Sequence, residues 1–95
     1  MNDHESAQAW AALSAEQQQA LRAQVAQIKA RMPHPSATNV GACTTNCHTT
    51  YKMMMHQLAS VYPGGDVPAE AAFAAEEALR ECLDACHDLY PPEGG

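Results

Sequence analysis

Four cysteines carry most of the chemistry this chain offers. Cys43-Thr44-Thr45-Asn46-Cys47-His48-Thr49-Thr50-Tyr51 aligns with Cys82-Leu83-Asp84-Ala85-Cys86-His87-Asp88-Leu89-Tyr90, and both read Cys-x3-Cys-His-x2-Tyr. A spacing of four puts both cysteines of a copy on one helical face, one turn apart, and the tyrosine continues the stripe. If the two copies meet, four sulfurs converge. Thiolates are soft ligands, suited to Zn, Cu(I) and iron–sulfur clusters, and four cysteine sulfurs make a closed tetrahedral zinc site. The leading expectation is therefore a metal site at Cys43, Cys47, Cys82 and Cys86, with Zn first, then Cu(I), then an iron–sulfur cluster. Met54 on the same stripe adds weight to Cu(I). His48 and His87 each follow a cysteine, about 100° around the helix. They are candidates for an extra ligand or an outer hydrogen-bond partner, set against the plainer reading of exposed helix histidines. His4, His34 and His56 lie outside the repeat and read as ordinary.

The elements that must position these residues are helices. Ser14 and Gln17 form a capping box ahead of a first long helix over 14–32. Leu21, Val25, Ile28 and Met32 make its apolar stripe, and Pro33 and Pro35 stop it. Ser36, Thr38 and Asn39 are cap-type residues before a second helix over 39–62. Tyr62-Pro63-Gly64-Gly65-Asp66 is a turn. Asp66 is the expected cap of a third helix over 67–90, with Pro68 in its first turn. Pro91 and Pro92 end that helix, and 91–95 is a tail. Residues 1–13 form an uncertain leading segment, in which Asp3 or Ser6 could cap a short helix through Trp10. Trp10 and Leu13 read as core or interface anchors. No strand pattern competes, so the expected fold is a single small all-α domain: a three-helix unit with, at most, a short leading helix.

The turn at Pro63–Gly65 makes the second and third helices an antiparallel hairpin. In that register Cys43 falls opposite Cys86 and Cys47 opposite Cys82. Val40 then faces Leu89, Met54 faces Ala75, and Leu58 faces Ala71 or Ala72. Tyr51 and Tyr90 flank the sulfurs from opposite ends. Met53, Met54 and Met55 point three ways, so only Met54 joins this stripe; Met53 and Met55 are expected to pack on the first long helix or on a partner.

The pattern resembles the twin Cys-x3-Cys helical hairpins of the mitochondrial intermembrane space. That resemblance implies disulfides Cys43–Cys86 and Cys47–Cys82, and with them an interaction module instead of a metal site. The Cys-x3-Cys pairs also resemble, more loosely, those of bacterial four-helix copper-storage proteins. Two further readings stay open. Cys-x3-Cys-His is one residue longer than the usual c-type haem attachment sequence, and two copies would make a dihaem protein. Cys43 near a helix N-terminus would have its thiolate favoured by the backbone dipole, which suits a thiol redox protein.

Composition limits the rest. Of 95 residues, 19 are Ala, with six Leu, four Val and one Ile, so the core is thin and leans on a metal, disulfides or self-association. A protein partner or self-association is expected. The net charge of −6, with Glu70, Glu76, Glu77, Glu81, Asp84 and Asp88 against Arg80 on the third helix, argues against nucleic acid and anionic membranes. No apolar run approaches the roughly 20 residues of a membrane span. Met1 to Ala12 hold acidic residues and no basic n-region, so the expected compartment is the cytosol, or an oxidising one if the cysteines are disulfides. No Ser-His-Asp order, phosphate loop or paired carboxylates stand out. A binding or accessory role is expected, not catalysis.

Overall fold

The computed structural model of the chain describes residues 3–32 and 37–90. Its described residues are helical, without strands: α1 (Asp3–Ala11), α2 (Ala15–Ala30), α3 (Val40–Val61) and α4 (Ala69–Leu89), with a short 3-10 turn at Pro63–Gly65 between α3 and α4. Pro33, Pro35, Ser36, His34 and the tail 91–95 lie outside the described residues.

Local sequence sets most helix starts. At α2 both halves of the capping box form: Gln17 N–H donates to Ser14 Oγ at 3.1 Å, and Ser14 N–H donates to Gln17 Oε1 at 2.9 Å. At α3 the Ala42 N–H donates to Asn39 Oδ1 at 2.8 Å. The connection to α4 departs from expectation. Gly64 and Gly65 take φ of 73° and 74°, the left-handed region that only glycine occupies without strain. Asp66 then leaves the turn extended, Pro68 stands at the N-cap position without a side-chain cap, and α4 begins at Ala69. The expected cap at Asp66 and start at residue 67 are thus corrected. Val67 precedes a proline, whose ring disfavours helical backbone at the residue before it.

The leading segment is a full helix, and it matters more than its sequence suggests. Ser6, a candidate cap, lies inside α1 and is buried. Trp10 is buried and stacks on Phe73 of α4, with ring centroids 5.3 Å apart. Arg22 covers the Trp10 ring at 5.1 Å and pairs with Glu77 at 3.2 Å, while Arg80 covers the Phe73 ring at 5.3 Å. The Trp10 carbonyl accepts from Gln18 Nε2 at 2.9 Å.

The core gathers near the turn end of the α3–α4 hairpin. Trp10, Val25, Met32, Met54, Leu58, Ala74 and Ala75 form one buried cluster, with Leu13, Leu21, Ile28, Tyr51 and Met55 packed against it. Met55 thus joins the packing as expected, while Met53 stays largely exposed. Tyr62 also packs there; burial, and secondarily the Glu70 charge, hold its phenol above the ordinary range. The expected apolar partners Val40 and Leu89 are instead 37% and 71% exposed. The buried residues of α1 and α2 go to the cluster around Met54 and Leu58, leaving Val40 and Leu89 at the far tip of the hairpin exposed.

Candidate functional site: a double disulfide between two helices

All four cysteines lie on the facing sides of α3 and α4. Buried Ala71, Ala72, Ala74 and Ala75 line α4 near the turn, and their short side chains let the helices approach closely. At the other end, that closeness leaves Cys43 and Cys86 with Cα atoms 5.7 Å apart, and Cys47 and Cys82 5.8 Å apart. Both pairs are disulfide-bonded, and no free cysteine remains. These separations fall at the usual spacing for a bridge. The antiparallel register expected from the repeat is the one observed, and so is the pairing implied by the twin Cys-x3-Cys resemblance.

The two bridges are nested and in contact. Cys47 Sγ lies 3.5 Å from Cys86 Sγ. Disulfide sulfurs carry no proton, so this is a van der Waals contact between bridges. Exposure divides the four cysteines into two kinds. Cys47 and Cys86 are 2% and 1% exposed, whereas Cys43 and Cys82 are half-buried. A cleft of about 150 Å³ opens over the bridges, lined by Cys43, Cys47, Cys82, Lys29, Ala37, Asn46 and Thr50.

The repeated residues around the cysteines do not act alike. Tyr90 caps α4 and donates its hydroxyl to the Ala37 carbonyl at 2.8 Å, tying the end of α4 to the segment that enters α3. Tyr51 is half-buried against the apolar cluster. The sequence repeat is thus two-fold, but its surroundings are not. His48 and His87 are both exposed.

The metal site expected at Cys43, Cys47, Cys82 and Cys86 has to be weighed against this bonding. Metal ligation and haem attachment both draw on free thiols, and in this form all four sulfurs are bonded to each other. Cys43, Cys47 and Cys86 nevertheless bring their sulfurs within 4.8 Å of one another, a spacing that reduced thiols could use for a shared ion.

Fold and site together define a small cysteine-rich helical protein whose central hairpin is joined by two disulfides. No family model, curated protein or solved structure matches the chain. Among the described residues, no helix is long and apolar enough to cross a membrane.

Proposed function

We propose that the chain is a disulfide-stapled helical-hairpin interaction module that works on a protein partner in an oxidising compartment. The observation that carries this reading is the pair of nested bridges across one helix–helix contact. Disulfides persist where thiols are not continuously reduced. A domain rich in alanine gains from them what its thin core does not supply. The bridges hold α3 against α4 at the end that apolar packing leaves open, so the outer faces of both helices are presented in fixed geometry. The module is a binding protein, not an enzyme, and its acidic charge favours a protein over nucleic acid as its counterpart.

The test is the intact mass of protein purified without reductant, followed by peptide mapping. The expected protein is about 4 mass units lighter than the tetrathiol and yields the linked peptides Cys43–Cys86 and Cys47–Cys82. A tetrathiol retaining a stoichiometric metal would overturn the reading.

A second reading is supported by the convergence of three sulfurs. In the reduced protein, Cys43, Cys47, Cys82 and Cys86 would hold Zn, or Cu(I), as thiolates. Anaerobic titration of the tetrathiol with Zn²⁺ is expected to give a one-to-one complex that releases protons, because thiols ionise on binding. A titration with no proton release and no retained zinc would remove this reading.

A further inference from the structure

We propose that Cys43 and Cys82 are the exchange-active sulfurs of this protein, and that a thiol attacking either of them drives the two bridges to rearrange into one buried Cys47–Cys86 disulfide. This rests on the disulfide reading above and assigns its four sulfurs two distinct roles.

The roles follow from access and contact. Each bridge joins a half-buried cysteine, Cys43 or Cys82, to a buried one, Cys86 or Cys47, and of the two buried cysteines only Cys47 lines the cleft. An external thiolate therefore reaches a bridge at its accessible end. Lys29 lines that cleft, and its ammonium favours thiolate over thiol there. Attack on Cys82 Sγ forms a mixed disulfide between the external thiol and Cys82. The Cys47–Cys82 bond breaks, and Cys47 leaves as a thiolate. That thiolate is born 3.5 Å from Cys86 Sγ and, freed from Cys82, swings into line with the Cys43–Cys86 bond. It attacks Cys86, the Cys43–Cys86 bond breaks, and Cys43 departs as a thiolate that takes a proton from solvent. A second external thiolate attacks the external sulfur of the mixed disulfide and frees Cys82. The external thiols end as one disulfide, two electrons have entered the protein, and Cys43 and Cys82 are thiols.

Attack at Cys43 converges on the same product. It expels Cys86, which lies against Cys47 and displaces Cys82 from it. Whichever bridge is opened, the released sulfur is a buried one already touching the other buried one. The half-reduced protein keeps a covalent link between α3 and α4 and presents a dithiol at the cleft. Cys43 lies in the first turn of α3 (Val40–Val61), where the backbone dipole favours its thiolate.

The experiment treats the oxidised full chain with a limiting amount of 2-mercaptoethanol, quenches with iodoacetamide and maps the peptides. The expected one-disulfide species carries Cys47–Cys86, with Cys43 and Cys82 alkylated. A one-disulfide species that retains Cys43–Cys86 or Cys47–Cys82 would overturn the proposal, because the helices then hold Cys47 and Cys86 too rigidly to bridge. A second measurement does not depend on trapping. The Cys43→Ser/Cys82→Ser protein is expected to oxidise in air to a monomer about 2 mass units lighter than its dithiol. If it stays a dithiol or links only between molecules, the proposal fails. Starting protein that is already a tetrathiol would sink the disulfide reading itself and the exchange with it, and its intact mass tells that failure apart from the others.

Discussion

The two ends of the α3–α4 hairpin are held together by different physics. Near the turn, Met54 and Leu58 sit fully buried against Ala74 and Ala75, and α1 and α2 close over them with Trp10, Val25 and Met32. At the other end Val40 and Leu89 stay exposed, and the helices are joined through sulfur. Burial of apolar area is collective and needs neighbours on several sides. A disulfide needs only one close approach. The chain has too few bulky aliphatics to extend the first device along the whole hairpin, and the second takes over beyond the apolar cluster.

This contrast can be broken experimentally, starting with the largest effect. Reducing both bridges removes the constraint on the unfolded chain. The bridges span 43 and 35 residues, but they are nested, so once one is closed the other closes only a small ring. Chain entropy then assigns roughly 3–4 kcal/mol to the first and about 2–3 kcal/mol to the second. Urea unfolding with and without reductant should show a loss of roughly 5–7 kcal/mol. A loss below about 1 kcal/mol would mean that the apolar end carries the fold alone.

Next comes Leu58→Ala, measured with both disulfides intact. Leu58 is 0% exposed, and truncating a buried leucine costs about 2–5 kcal/mol. A cost near zero would show that the cluster at the turn is not a packed core.

Removing one bridge at a time should matter less than removing both. Either the Cys43→Ser/Cys86→Ser or the Cys47→Ser/Cys82→Ser protein is expected to lose about 2–3 kcal/mol, because the remaining bridge still closes a long loop. Unequal losses would show that strain or packing, not loop closure, sets the contribution of each bridge.

The smallest effect sharpens the cysteine end. Tyr90→Phe deletes the hydrogen bond to Ala37 and should cost about 0.5–1.5 kcal/mol. Because Cys43 and Cys86 lie beside that tie, the same variant should hasten thiol exchange at the bridges, read by timed alkylation of Cys43 and Cys82. An unchanged reduction rate would detach Tyr90 from the site.

Local features were largely legible in the sequence. Ser14 and Gln17 specify their capping box through groups three residues apart, and Asn39 caps α3 in the same way. The stripe Leu21, Val25, Ile28 and Met32 packs on the core as its spacing implies. Where the reading fell short, the cause lay in neighbours distant along the chain. In α1 one tryptophan stands among alanines and polar residues, so no periodic stripe announced a helix whose buried face is defined by Phe73. Val40 and Leu89 continue the apolar spacing of their helices, yet nothing in that spacing says where covering helices stop. Asp66 has the chemistry of a cap, but the extended backbone at Pro68 moved the helix start beyond its reach.

By itself the sequence determined that this protein is helical, that its cysteines fall one turn apart on two facing stripes, and that a Pro-Gly-Gly turn brings those stripes together antiparallel. Helical periodicity and turn chemistry are local, and they need no knowledge of the rest of the chain. What the four sulfurs do depended on distances that only the packed hairpin sets. With Cα separations of 5.7 and 5.8 Å the pairs can bridge. The offset that brings Cys47 and Cys86 into contact, while Cys43 and Cys82 stay half-buried, was likewise decided by how closely an alanine-lined α4 lies against α3.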